Sequence, residues 1–255
     1  MKNYKYLIDL SYICNVVFFS CLKGNSYKSN FDPMEEVADF ELELEHRLDS
    51  LLNMFPVEET LLVKDCKRST IWRKEFDDGY KASRDDYDGP KKKPSFLLIN
   101  ELLSDHGYNF IGVDKCECDD ILAIAGTMLP NATIVSSDKD LLQIGCAQID
   151  ALGKEVTLES FFKEQSKKFK RPITANDIIL AKCISGDTGD SVPNIKKGIG
   201  IAKATDMVVN PKKLYTFLGE NPEVVDRLKL NRTMVDLNKI PDALKIEIRE
   251  ALDAL

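Results

Sequence analysis

Histidine is nearly missing from this chain: His46 and His106 are the two present in 255 residues, and neither lies near a serine or cysteine in a nucleophile motif. That scarcity argues against triad hydrolases and histidine-rich zinc sites. The seven cysteines are odd in number and contain no C-x-x-C pair, which argues against a disulfide framework and suits a reducing compartment. Long apolar runs are lacking too. No stretch approaches the roughly 18 residues needed to span a bilayer, and the opening Met-Lys-Asn-Tyr-Lys has no apolar segment behind its basic residues. A soluble, intracellular protein is therefore expected. Internal repeats are also lacking, and low complexity is confined to Pro90 to Pro94 with its three lysines.

Carboxylates, by contrast, are abundant and oddly placed. Asp9, Asp65, the group Glu117, Asp119 and Asp120, the pair Asp138 and Asp140, and the pair Asp187 and Asp190 form five short clusters, most of them directly after an apolar, strand-like run. Tyr6 to Ile8 lead into Asp9, Leu61 to Val63 approach Asp65, and Thr133 to Val135 approach Asp138. An ordinary surface acid lies on a polar stretch instead. Acids gathered into one cleft repel one another and resist ionisation, and divalent cations with oxygen ligands are the usual remedy. The pattern points to a metal-dependent nuclease.

A net charge of −7 looks wrong for an enzyme of nucleic acids, yet setting the clustered acids aside leaves the remaining surface mildly basic. Residues 64 to 93 hold ten Lys and Arg against seven Asp and Glu, and residues 163 to 213 hold eleven against five. Phosphate affinity follows such local patches and not the whole-chain sum. At this length and 44% hydrophobic content, a core domain with a smaller appendage is expected.

The first half alternates short apolar strands with amphipathic helices, which predicts an α/β fold with a mostly parallel central sheet flanked by helices. Strands are expected at Lys5 to Leu10, Thr60 to Lys64, Asn109 to Val113 and Ala132 to Val135. Between the first two, a connection of undetermined structure precedes a helix capped by Asp32, with Pro33 at its first position and Val37, Phe40, Leu44, Leu48, Leu51 and Phe55 on one face. Asp119 to Leu129 reads as a helix, which places Glu117, Asp119 and Asp120 at or before its positive end, where acids also serve as plain caps. Ligands of open α/β sheets sit beyond the carboxyl ends of the strands, where these acids should meet. Past residue 170 the strand signal fades and Asn176 to Ile184, Ile201 to Val209 and Pro241 to Leu255 look helical. Cys116 and Cys118 flank Glu117 and read either as packing residues or as soft metal ligands.

A phosphodiester resists attack because its oxygens repel nucleophiles and its alkoxide leaves poorly. Two divalent ions about 4 Å apart answer both difficulties without a histidine base.

The segments Leu-Ile-Asp9, Val-Lys-Asp65, Glu117-Cys-Asp119-Asp120, Ser-Ser-Asp138-Lys-Asp140 and Gly186-Asp187-Thr-Gly-Asp190, in this order, resemble the 5′ nuclease superfamily. That superfamily includes flap endonucleases, bacteriophage 5′ to 3′ exonucleases and the N-terminal domain of bacterial DNA polymerase I. The resemblance implies a PIN-like 5′ nuclease core over residues 1–170, with a helical arch near 66–95, and a helical DNA-binding module over 171–255 containing a helix-three-turn-helix. It further implies a first metal among Asp9, Asp65, Glu117 and Asp119 with Asp120 close by, and a second among Asp138, Asp140, Asp187 and Asp190. The ions would be Mg²⁺, with Mn²⁺ as a substitute. The superfamily usually has alanine where Cys118 stands, a small change.

Trp72-Arg73 and Gly79-Tyr80-Lys81-Ala82-Ser83-Arg84 are similar to the superfamily segment that opens the arch. On that basis Lys81 and Arg84, one helical turn apart, are candidate catalytic cations. Arg73, Tyr80, Lys91, Lys92 and Lys93 are candidate DNA contacts, Tyr80 by stacking on a base. The segment around Lys196, Lys197, Gly198, Gly200 and Lys203 resembles the hairpin that grips duplex DNA, which in relatives often binds K⁺ through backbone carbonyls. Its glycines let the backbone approach a phosphate.

The implied activity is a structure-selective 5′ nuclease, a 5′-3′ exonuclease and flap endonuclease acting on DNA at 5′ flaps, junctions and 5′ ends, with RNA/DNA hybrids as a further substrate. It would serve replication or repair as a cytoplasmic monomer of a bacterial or phage-infected cell. A PIN-like ribonuclease and a catalytically inactive junction-binding protein are the alternatives.

Overall fold

In the computed structural model the described residues are 3–24, 53–82 and 92–255, with the isolated positions 42, 45, 46 and 49. Five strands, β1 (Tyr6–Asp9), β2 (Thr60–Val63), β3 (Asn109–Ile111), β4 (Thr133–Val135) and β5 (Ala147–Ile149), form one sheet in the order β3-β2-β1-β4-β5. Every pairing is parallel. The chain winds outward from β1 in one direction and then from β4 in the other. The gap between their carboxyl ends is thus a topological switch point.

Because side chains alternate across a strand, the register Leu7, Leu61 and Ile134 faces one way and Ile8, Leu62 and Val135 the other. The first row packs under helix α3 (Cys118–Met128) through Ile121, Leu122 and Ala125. The second packs under α1 (Leu10–Gly24) through Ile13 and Val17, and under α2 (Lys92–Asp105) through Ile99 and Leu103. Sheets covered on both faces read as unbroken apolar runs, as these strands do.

Four expected strands are present within a residue or two. The fifth, Ala147-Gln148-Ile149, is short and carries a buried glutamine, so no apolar run announces it. Helix α1 fills part of the undetermined connection; its sequence is apolar nearly all round, which hides its period. The stripe from Val37 to Leu51 lies outside the described residues. Leu42, Glu45, His46 and Asp49 are helical, and Phe55 is buried. Helix α2 starts at Lys92 and accommodates Pro94 in its first turn, where a missing N–H leaves no bond unmade. The middle of the expected arch, 83–91, is outside the described residues.

After the short α4 (Leu158–Phe162) come α5 (Ala175–Ser185), α6 (Ile201–Val209), α7 (Pro211–Glu220) and α8 (Val225–Val235). Ile178, Ala181 and Ile184 of α5 meet Ala204 and Val208 of α6, with Ile195 and Ile199 plugging the loop between them. Gly186 ends α5 at φ 72, and a Cβ there would lie 2.4 Å from the Val192 carbonyl oxygen, so glycine is required. Ile71 and Tyr80 pack with Ile179, Cys183, Val192, Met234 and Val235, tying the foot of the arch segment to α5 and α8. The last helix, α9 (Asp242–Asp253), leaves its helical neighbours and sets Leu244, Ile248 and Leu252 into the core beneath α3.

Candidate active site

The switch point is where the acids gather. Asp9 ends β1 and caps α1, accepting the Tyr12 N–H at 3.0 Å on one oxygen and the Ser136 hydroxyl at 3.0 Å on the other. Ser136 is fully buried after β4 and also accepts the Asp138 N–H at 3.1 Å, so one hydroxyl links two strand ends. Asp65, just past β2, accepts the Ser11 hydroxyl at 2.6 Å and the Cys118 N–H at 2.8 Å. Asp138 in turn accepts the Asp140 N–H at 2.9 Å. Two helix N-termini, of α1 and α3, therefore point into the cluster and offset part of its charge.

The carboxylates sense one another. Burial and then the neighbouring Asp65 push the Asp9 carboxyl up to about 6, with Asp138 adding to the rise. Burial and then Asp138 hold Asp119 well above the ordinary carboxylate range. For Asp140 burial dominates and Lys182 pulls the other way, leaving it at about 6. Burial also acts on Asp187, but Lys182 and the Gly189 N–H outweigh it and keep this group below its ordinary value. Among the described residues, the oxygens of Asp140, Asp187 and Asp190 lie within 4.8 Å of one another.

This donor set suits hard divalent cations: every candidate ligand is a carboxylate oxygen, and no imidazole is among them. Burial pushes the Cys116 thiol up to about 12 and the Cys118 thiol well above its usual range, so both stay protonated packing residues, the first of the two readings.

Two of the candidate DNA contacts, Arg73 and Tyr80, are buried. Arg73 is 2% exposed: its guanidinium binds Asp120 through two nitrogens at 2.8 and 3.0 Å, Glu117 at 2.7 Å and the Met234 carbonyl at 2.8 Å. It faces the interior and not a DNA groove. Asp120, fully buried, also takes the Trp72 indole N–H at 2.9 Å and the Glu117 N–H at 3.0 Å, so it anchors this clamp beside the other acids. Tyr80 is 4% exposed and points its hydroxyl at Glu117 (3.1 Å) and Asp190 (3.3 Å); its ring is not available for stacking.

Lys81 does reach the acids, pairing with Glu117 and lying 3.8 Å from Asp190. It does so from a left-handed turn at φ 57 and not from a helix, with its N–H on the Asp190 carbonyl at 2.9 Å. Arg84 and Lys91 lie outside the described residues, as do the side chains of Lys92 and Lys93 at the start of α2. Lys196, Lys197, Gly198, Gly200 and Lys203 are exposed around the α5 to α6 loop, distant in sequence from the strand ends. Gly198 has φ 84, and neither Gly198 nor Gly200 has an atom within 4 Å of where a Cβ would stand. Lys196 is engaged by Asn221 and Glu223.

Sequence reading missed Lys182, on the buried face of α5, which pairs with both Asp140 and Asp187. A lysine amid Ala181, Cys183 and Ile184, five residues before Asp187, was the available signal.

A family model described as the 5′-3′ exonuclease, N-terminal resolvase-like domain, matches residues 5–170. The chain belongs to this family. It is 27% identical over 200 residues to a 5′-3′ exonuclease of Bacillus subtilis (strain 168), covering 73% of this chain and 59% of that one. It is 28% identical over 184 residues to DNA polymerase I of Rhizobium leguminosarum, covering 65% of this chain and 18% of that protein. The chain thus spans less than two thirds of the length of either curated relative. Among solved structures, T5 5′-exonuclease with bound divalent metal ions (zinc) superposes at a TM-score of 0.67 with 16% identity, over 97% of this chain and 98% of that one. The catalytic core of Rad2 in complex with DNA substrate follows at 0.53 with 16% identity, over 98% and 78%. These likenesses establish a shared fold for the family member described here.

Two outcomes follow from the site's electrostatics. Replacing Arg73 with Met strands two buried carboxylates and should lower unfolding free energy in urea by about 3–5 kcal/mol; a stability equal to wild type would return Arg73 to the surface role. Asp9 and Asp140 titrate near 6 in the folded chain and near 4 when unfolded. Between those values the folded state takes up protons first. The metal-free protein, melted in chelator, should therefore be more stable at pH 5 than at pH 8, and Asp9→Asn should remove part of that difference. A flat or opposite profile would contradict the charge assignment.

Proposed function

We propose that this chain is a metal-dependent, structure-selective 5′ nuclease that hydrolyses DNA phosphodiesters near single-strand to duplex junctions, as a 5′-3′ exonuclease and flap endonuclease. The observation that carries the reading is the convergence of acids from the ends of β1, β2 and β4, the start of α3 and the α5 loop, with Lys81 beside them, at the place where a ligand of this sheet would sit. Family membership supports it, as do relatives named as a 5′-3′ exonuclease and as DNA polymerase I.

In this reading Asp9, Asp65, Glu117 and Asp119 would hold one divalent ion, and Asp138, Asp140, Asp187 and Asp190 a second. Bound there, Mg²⁺ or Mn²⁺ would lower the pKa of a water and neutralise charge on the attacking and leaving oxygens. The protein's own part is placement. Ser11, Ser136 and the N–H groups of Tyr12 and Cys118 orient the ligands, and Lys81 offers a cation to the phosphate. The Arg73 clamp fixes Glu117 and the foot of the arch segment.

We place the arch near 66–95 and a DNA-binding module at 171–255, where Gly198 and Gly200 leave the backbone open to a duplex phosphate beside Lys197 and Lys203, with K⁺ as a further ligand of that hairpin. Action as a monomer in the cytoplasm, on RNA/DNA hybrids as well as DNA, and in primer or flap removal belongs to the same proposal. No helix among the described residues is long and apolar enough to cross a membrane.

End-labelled single-flap, blunt duplex and RNA/DNA hybrid substrates, incubated with Mg²⁺ or chelator, test this directly. Cleavage near the junction, lost in chelator, is expected; cutting of RNA alone would favour a ribonuclease. Asp138→Asn should abolish cleavage and retain junction binding, because it removes a metal ligand and not a phosphate contact. Full Mg²⁺-dependent activity in that variant would remove Asp138 from the centre. Lys81→Ala should lower the single-turnover rate by about 10²-fold or more with modest change in affinity, the signature of a contact made in the transition state. An unchanged rate would exclude Lys81 from the chemistry.

A further inference from the structure

Lys182 stands out among the buried charges because it occupies the same carboxylates that a metal would. Its side chain is 9% exposed, and its ammonium contacts both oxygens of Asp140 and one of Asp187. Those three contacts use all three donors of an ammonium group, so Lys182 is satisfied where it lies. Asp140 and Asp187 are two of the three acids whose oxygens converge within 4.8 Å. The third, Asp190, is met from the other side by Tyr80 and Lys81. Lys182 is itself buried on α5, and the required Gly186 ends that helix immediately before Asp187.

Two opposing effects follow. Without metal, the ammonium screens Asp140 from Asp187 and keeps the loop on the sheet. A divalent cation arriving at the same oxygens meets a positive charge already in place, at distances where charges in a desolvated site interact strongly. We propose that Lys182 is a resident counter-cation of this half of the centre: it holds Asp140 and Asp187 together in the metal-free protein and competes with a divalent ion for them. Lys182 accordingly lowers the metal affinity of the half-site served by Asp140, Asp187 and Asp190 below what its carboxylates alone would give. Added negative charge, such as a substrate phosphate, strengthens it by offsetting the ammonium. Lys182 is a positioning residue, and the inference rests on the metal-centre reading above.

Mn²⁺ alone, titrated calorimetrically into wild type, Lys182→Gln and Lys182→Arg, tests it without any substrate. One Mn²⁺ binding step should tighten by about tenfold or more in Lys182→Gln, the usual scale of coupling between linked sites. It should stay near wild type in Lys182→Arg, which keeps the charge. In chelator Lys182→Gln should melt below wild type, and saturating Mn²⁺ should close that gap. An isotherm in which no step tightens in Lys182→Gln overturns the proposal. Should that variant fail to fold in chelator, the ammonium signal of ¹⁵N-lysine-labelled wild type decides: Mg²⁺ should shift the Lys182 resonance, and an unmoved resonance overturns the proposal. Absence of Mn²⁺ binding in wild type would instead defeat the metal centre itself and this inference with it.

Discussion

Mutual repulsion among carboxylates is the constraint that the rest of the molecule answers. The sheet brings acids from the ends of β1, β2 and β4 and the start of α3 to one rim, and the α5 loop adds two more. Left alone, such a group would protonate or push the strand ends apart. The fold counters this with several devices of different reach. Helix N-termini and hydroxyls serve Asp9 and Asp65, a buried arginine serves Glu117 and Asp120, and two lysines serve the acids around the α5 loop. The remaining excess of negative charge is what makes the rim a cation site.

The arginine clamp shows how a buried ion cluster can be structural at the edge of an acidic rim. Arg73 sits in a one-turn helix (Trp72–Glu75) ahead of the arch, yet reaches the start of α3 and the carbonyl of Met234 at the end of α8. Burial opposes its charge, but the carboxylates of Asp120 and Glu117 outweigh that penalty and keep the guanidinium protonated. Three parts of the chain, far apart in sequence, meet at this guanidinium. Breaking it would loosen the Trp72–Glu75 turn, the acid-bearing helix α3 and the end of α8 together. The bidentate geometry and the indole contact distinguish it from the salt-dependent surface pairs elsewhere, such as Lys229 with Asp226.

Much of this was legible in the sequence, for a physical reason. A parallel strand buried on both faces must be apolar throughout, so an acid immediately after such a run marks a carboxyl end of the sheet. Asp9, Asp65 and Asp138 could be located that way without knowing the fold. What the linear pattern could not separate were acids with the same spacing and different partners. Asp119 and Asp120 are adjacent, but on a helix neighbours diverge by about 100°, and one turns to the cleft while the other turns to Arg73. Tyr80 and Arg73 were misjudged for a related reason: a basic, aromatic segment looks like a surface, and the burial comes from α5 and α8, which lie more than 90 residues downstream. Lys182 was overlooked because an isolated lysine in an apolar helix ordinarily snorkels to solvent.

The placement of α9 carries a consequence for biogenesis. Its leucines and isoleucine complete the apolar layer beneath α3, the helix whose first turn bears Glu117 and Asp119. During translation the sheet and α3 emerge long before that layer can close. Until residue 252 has been made, that apolar layer stays open, so the footing of the acid-bearing helix is completed only after most of the chain has been synthesised.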